Sequence, residues 1–145
     1  MTGNRRRGVV LQDRDHHLLS ELAVMRIIDR EMTKLVAGFG STSQANTRLL
    51  ELTRAGFLRR FFVGTIGAGR KAVYTLSSKG AELISARSGG IQRPKGKLVS
   101  GDRFVEHQTG VNEVYIAVKC HPASSSELRL ARWHTFRQSI SEAIN

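Results

Sequence analysis

The sequence predicts a mainly α-helical fold carrying one small β-hairpin. Three observations carry that expectation. Apolar residues recur at helical spacing in successive segments between Leu11 and Leu52. A turn with three glycines, Gly64–Arg70, separates two short runs rich in aromatic and β-branched residues. Further helical patterns follow the hairpin. With 145 residues, 40% of them hydrophobic, the chain is one domain's worth and has enough apolar side chain for a core.

The first helix is expected over Leu11–Val24, where Leu18, Leu19 and Leu22 fall behind Asp13 and Asp15. Acidic residues suit a helix N-terminus because unpaired N–H groups and the dipole meet them there. Met25–Ile28 is short and apolar, either a strand or the end of that helix. Glu31–Phe39 places Met32, Leu35, Val36 and Phe39 on one helical face, with Gly40 as its stop. A third helix opens at Ser41, with Gln44 three residues on as in a capping box. Its core stripe is Ala45, Leu49 and Leu52, and Gly56 ends it. Phe57–Val63 and Lys71–Leu76 are the hairpin strands. Ser77 or Ser78 then caps a helix over Lys79–Arg87.

Three helices followed by a hairpin are the order of a winged helix-turn-helix. The division expected is a basic N-terminal arm at 1–10, a winged domain at 11–87, a linker at 88–101 and a helical extension at 102–145. The linker, SGGIQRPKGKLVSG, is Gly-, Ser- and base-rich and contains one of the two prolines. No stretch of about 18 uncharged apolar residues is present for a membrane helix. The apolar run after the basic N-terminus is only Val9–Leu11, too short for a secretory signal. A single cysteine, Cys120, excludes an internal disulfide and points to a reducing, cytoplasmic setting.

The charge balance narrows the partner. Lys and Arg number 23 against 12 Asp and Glu, a formal +11, and most of the surplus lies before residue 81. A polyanion is the natural partner, with double-stranded DNA ahead of an anionic membrane. A helix about 10 Å across fits the major groove and can pair its polar face with base edges. On the third helix Ser43, Gln44, Thr47, Glu51 and Arg54 lie away from the core stripe, with Arg48 nearer its border. Ser43, Gln44, Thr47, Arg48 and Arg54 are the candidate DNA contacts, with Gln44 suited to adenine and Arg48 to guanine. Arg59, Arg60, Arg70 and Lys71 of the wing would neutralise flanking phosphates. Arg5, Arg6 and Arg7 fit an arm that reaches backbone or minor groove. Each group also has a plainer reading: a solvated helix face, a charged guard on an edge strand, a solvated tail.

Five segments together resemble the plasmid replication-relaxation family: LQDRDHHLLSEL, the helix opening near MTKLV, RLLELTRAGFLRR, AVYTLSSKGAEL and EHQTGVNEVYIA. The resemblance runs over roughly Leu11–Val118. Its more specific part is His107, Asn112, Glu113 and Tyr115 on a helix just after the winged domain. It implies a DNA-binding protein of plasmids or integrated mobile elements, acting in replication, conjugative transfer or their transcriptional control. Longer members continue into a nuclease-like α/β region. This chain reaches only Asn145, soon after an expected strand at Leu128–Trp133, and is therefore either a short relative or the DNA-targeting fragment of a larger nuclease.

Asp102–Lys119 reads as a helix with Phe104, Val111, Tyr115 and Val118 in one stripe, weakened at Gly110. That stripe is expected to pack either on its own domain or on a second copy, giving a homodimer that pairs two half-sites. Catalysis is not expected. His16 and His17 are adjacent and diverge by about 100° on a helix. Cys120, His121 and His134 lack the spacing of a zinc site, and GTIGAGRKA lacks that of a phosphate-binding loop. The sequence thus calls for no metal and no cofactor. Glu113 corresponds by analogy to a nuclease acid, but its partners are missing; with Asp102 and Glu106 it reads as a solvated face. A non-catalytic adapter among replication or transfer proteins is the alternative to DNA binding.

Overall fold

The computed structural model describes residues 8–65, 67, 69–88, 102–120, 130 and 132–133. Helix α1 (Asp13–Met25) starts one residue past Gln12, whose backbone is extended and whose N–H donates to Asp15 Oδ2 at 2.8 Å. That bond fixes the start two residues later than periodicity alone places it. Leu18, Leu19, Leu22 and Met25 are buried along one side. The helix ends at Arg26, which takes a positive φ of 70°.

Helix α2 (Arg30–Ala37) is capped by Asp29, whose Oδ1 accepts the Met32 N–H at 2.8 Å. It stops at Gly38, where a φ of +69° favours glycine, two residues before the expected Gly40. Met32 and Val36 are buried as expected, but Leu35 is 59% exposed and Thr33 occupies the core. The Thr33 hydroxyl can enter the core because it donates to the Asp29 carbonyl at 2.7 Å.

Helix α3 (Thr42–Arg54) begins with Ser41 Oγ accepting the Gln44 N–H at 3.1 Å. Ala45, Leu49 and Leu52 form its buried stripe. At its end the Phe57 N–H bonds the Leu52 carbonyl and the Gly56 N–H bonds that of Thr53, with Gly56 at φ +90°. This is a glycine-dependent termination that satisfies the last carbonyls and turns the chain into the hairpin.

Strands β1 (Leu58–Thr65) and β2 (Gly69–Leu76) pair antiparallel from Leu58↔Leu76 to Thr65↔Gly69, about two residues longer toward the turn than the composition indicates. Ile28 adds a one-residue bridge to Tyr74, exchanging hydrogen bonds of 3.0 and 2.8 Å. The apolar Met25–Ile28 segment therefore serves as both helix end and strand, and β2 lies between it and β1. Helix α4 (Ser78–Ser88) is capped by Ser77, which accepts the Gly80 N–H at 3.1 Å and donates to the Gly56 carbonyl.

Helix α5 (Asp102–Lys119) has the expected bounds but a different buried face. Val105, Gln108, Asn112, Tyr115 and Ile116 are the buried residues. Tyr115 and Ile116 join the main core with α1 and Tyr74, while Val105 packs with Ile27 and Val73 on the other side of the hairpin. Two hydrogen bonds make the polar members of this face buriable. Gln108 Nε2 donates to Asn112 Oδ1 at 3.0 Å, and Asn112 Nδ2 donates to the Ile27 carbonyl at 2.9 Å. Of the expected strand at Leu128–Trp133, Leu130, Arg132 and Trp133 are described and stand outside regular structure, Leu130 and Trp133 packing on the core; the rest lies outside the described residues. Among the described residues no helix is long and apolar enough to cross a membrane.

Candidate nucleic-acid interface

The apolar stripe of α3 faces the core, which turns Ser43, Gln44, Thr47 and Arg54 to solvent. The Thr47 hydroxyl donates to the Ser43 carbonyl at 3.0 Å, leaving its oxygen lone pairs outward. Gln44 keeps its side-chain amide near Gly40 at the helix start, and no side-chain partner holds it among the described residues.

Arg48 is different, and the expectation that it reads guanine is corrected. Its Nε donates to Asp15 Oδ1 at 2.8 Å and one terminal nitrogen to Glu51 Oε2 at 2.6 Å. The other terminal nitrogen donates to Asp15 Oδ2 and to the Val10 carbonyl. Asp15 is 1% exposed at its side chain. Its burial pushes the carboxyl up, but the Arg48 hydrogen bonds and the Gln12 N–H outweigh that and hold it below its ordinary value. The Asp15 hydrogen bond likewise raises the Arg48 guanidinium, against the opposing effect of burial. Arg48 thus fastens α3 to α1 and to the segment leading in from the N-terminus. Four of its five N–H donors are spent inside the protein.

The wing divides in the same way. Arg59, Arg60 and Arg70 are exposed, whereas Lys71 Nζ lies 2.5 Å from Asp29 Oδ2. Asp29 caps α2 with one oxygen and holds the hairpin with the other, so Lys71 orients the wing rather than standing clear for phosphate. Among the described residues no carboxylate pairs with Arg54, Arg59, Arg60 or Arg70. Arg5, Arg6 and Arg7 lie outside the described residues. The chain that follows them is anchored, since Val9 and Leu11 pack on the core.

On α5 the expected contact stripe splits. Tyr115 is 4% exposed, its hydroxyl donating to Glu21 Oε2 at 2.6 Å and its ring 5.1 Å from that of Trp133. Burial and the Glu21 carboxylate push the Tyr115 phenol up, against the pull of Lys119. Tyr115 is therefore a core residue and is withdrawn from any seam between copies. Phe104 is half-buried beneath the Arg26 guanidinium, 4.8 Å from its ring centre. Val111 is half-buried, and Val118 is exposed together with Val114. The residues of the EHQTGVNEVYIA segment separate into two groups: Asn112 and Tyr115 bind α5 to the domain, while His107 and Glu113 face solvent.

Sequence reasoning missed the Asp15–Arg48 and Asp29–Lys71 pairs and the Glu21–Tyr115–Lys119 cluster. Each joins residues far apart in the chain, and no local spacing announces them. It also passed over Phe62, which is 53% exposed on the wing.

No curated protein and no solved structure matches the chain. A family model described as replication-relaxation matches residues 14–144, from the first turn of α1 past the end of α5. The match takes in the three helices, the hairpin and the docked fifth helix together, and the chain belongs to the replication-relaxation family.

Proposed function

We propose that this chain is a sequence-specific double-stranded DNA-binding protein of a plasmid or mobile element. It acts in the cytoplasm, without catalysis of its own, in replication, conjugative transfer or their transcriptional control. Family membership supports the replication setting. The observation that carries the DNA reading is the sorting of the basic residues. Arg48 and Lys71 are paired with Asp15 and Asp29, and Arg54, Arg59, Arg60 and Arg70 on α3 and the adjoining hairpin remain exposed with no carboxylate paired to them among the described residues. Exposed guanidinium groups beside a polar helix face match the phosphates that flank a major groove.

The test is duplex affinity measured across salt concentrations. If the four exposed arginines each engage a phosphate, log K falls against log salt with a slope of about −3.6, from roughly −0.9 per phosphate. Replacing Arg59, Arg60 and Arg70 by alanine reduces that slope to about −1 and weakens all sequences alike. A chain with no duplex affinity, or affinity indifferent to salt, is not a DNA-binding protein, and the adapter role then takes its place.

A further inference from the structure

One side chain on the hairpin is left unexplained by packing. Phe62 is 53% exposed although the base of its strand is core. Side-chain alternation and the register put Arg60, Phe62 and Gly64 on one face of β1, with Tyr74, Ala72 and Arg70 opposite them on β2. The residue directly across from the ring is Ala72 and the next on its own strand is Gly64, and neither is large enough to screen it. The Arg60 guanidinium lies 5.2 Å from the ring centre, and Arg70 is exposed on the same face. Among the described residues the face carries an exposed ring, two guanidinium groups and no carboxylate.

We propose that Phe62 is a stacking platform for an unpaired base of a DNA strand, with Arg60 and Arg70 holding the phosphates on either side of it. Bases within a duplex keep both π-faces covered by their neighbours, and only a base outside the stack offers one to an aromatic ring. The flanking cations argue for a polyanionic strand as the occupant, since an apolar protein surface would have no use for two arginines. This inference rests on the DNA-binding reading and adds to it a preference for sites where one strand is locally unpaired.

The experiment compares the full chain on two DNAs of the same sequence. One is fully paired; the other has a two-nucleotide single-stranded gap containing 2-aminopurine. The gapped DNA is expected to bind about five- to a hundredfold more tightly, the range of one base–aromatic stack, with quenching of the 2-aminopurine fluorescence. Phe62→Ala should bring the two affinities together while changing the fully paired one little, and Phe62→Trp should preserve the preference. Equal, salt-sensitive binding of both DNAs by the wild type overturns the platform and leaves duplex binding standing. Equal loss on both DNAs in Phe62→Ala also overturns it, because the ring is then an ordinary duplex contact. Absence of binding to either DNA removes the parent reading and this one with it.

Discussion

Replacing Arg48 with alanine distinguishes an internal fastening from a base reader. In the structure the guanidinium donates four hydrogen bonds, two of them to a carboxylate that is 1% exposed. The substitution leaves Asp15 buried with only the Gln12 N–H, 2.8 Å away. Removing one partner of a buried pair costs about 3–5 kcal/mol, and the 18% exposure of Arg48 admits some water, which argues for the lower end, about 3 kcal/mol. For a chain near 150 residues that is a fall in Tm of about 6–12 °C. The pH dependence has a definite sign. Asp15 has a depressed folded pKa, so in the wild type the pair's stability is present above the unfolded carboxylate value and is lost as pH falls through the folded one. Without Arg48, burial acts with less opposition and raises Asp15, whose protonated form is cheaper to bury. The melting temperatures of variant and wild type therefore converge in acid. Calorimetry from pH 3 to 7 measures both effects, and Asp15→Asn combined with Arg48→Ala isolates the coupling. If Arg48→Ala melts like the wild type yet loses discrimination at one base pair, the reasoning is wrong and Arg48 faces DNA.

Three further outcomes follow from the same geometry. Gln44→Ala should lower affinity for the preferred duplex by about 1–3 kcal/mol and relax one base position without changing Tm; an equal loss on every duplex would show that Gln44 reads no base. Gly80→Ala should destabilise the domain, because its Cβ would stand 2.3 Å from the Phe57 carbonyl oxygen, whereas Gly110→Ala meets nothing within 4 Å and should stabilise α5 by about 0.5–1 kcal/mol; chemical denaturation gives both signs. Asn112→Ala should cost about 1–3 kcal/mol by leaving the Ile27 carbonyl and Gln108 without their partner, and a neutral result would mean that α5 is not held by this bond.

Legibility in the sequence followed the range of the interaction. The start of α3 at Ser41 and its stop at Gly56 were readable because a cap and a glycine termination act within a few residues. The existence of the hairpin and the bounds of α5 were readable for the same reason. The face of α5 was not. Counting apolar residues selects Phe104, Val111, Tyr115 and Val118, while the buried face is turned by about 80° on a 100°-per-residue wheel. The difference is due to Gln108 and Asn112, polar residues that enter the core because each finds a hydrogen-bond partner there. Thr33 displaced Leu35 on α2 by the same means. At the site, residue type picked out a basic surface but could not tell which cations it kept. On a helical wheel Arg54 lies opposite the buried stripe and Arg48 near its border, but only the approach of Asp15, 33 residues away, shows that Arg48 is paired within the fold.

Four consecutive residues between α1 and α2 each fasten a different part of the molecule. Arg26 turns the chain out of α1 with a positive φ, and the Ile27 carbonyl receives α5 through Asn112. Ile28 bridges to Tyr74 of the hairpin, and Asp29 holds both the start of α2 and Lys71. A tetrapeptide used in this way works like the rivet of a pair of calipers, fixing the span between helix and wing before anything is measured. If, as proposed, a duplex is gripped by both jaws, it has to adjust its own groove width and bend to that span. Stiff and pliable sequences would then differ in affinity at base pairs that no side chain reaches, a discrimination set by the elasticity of the DNA.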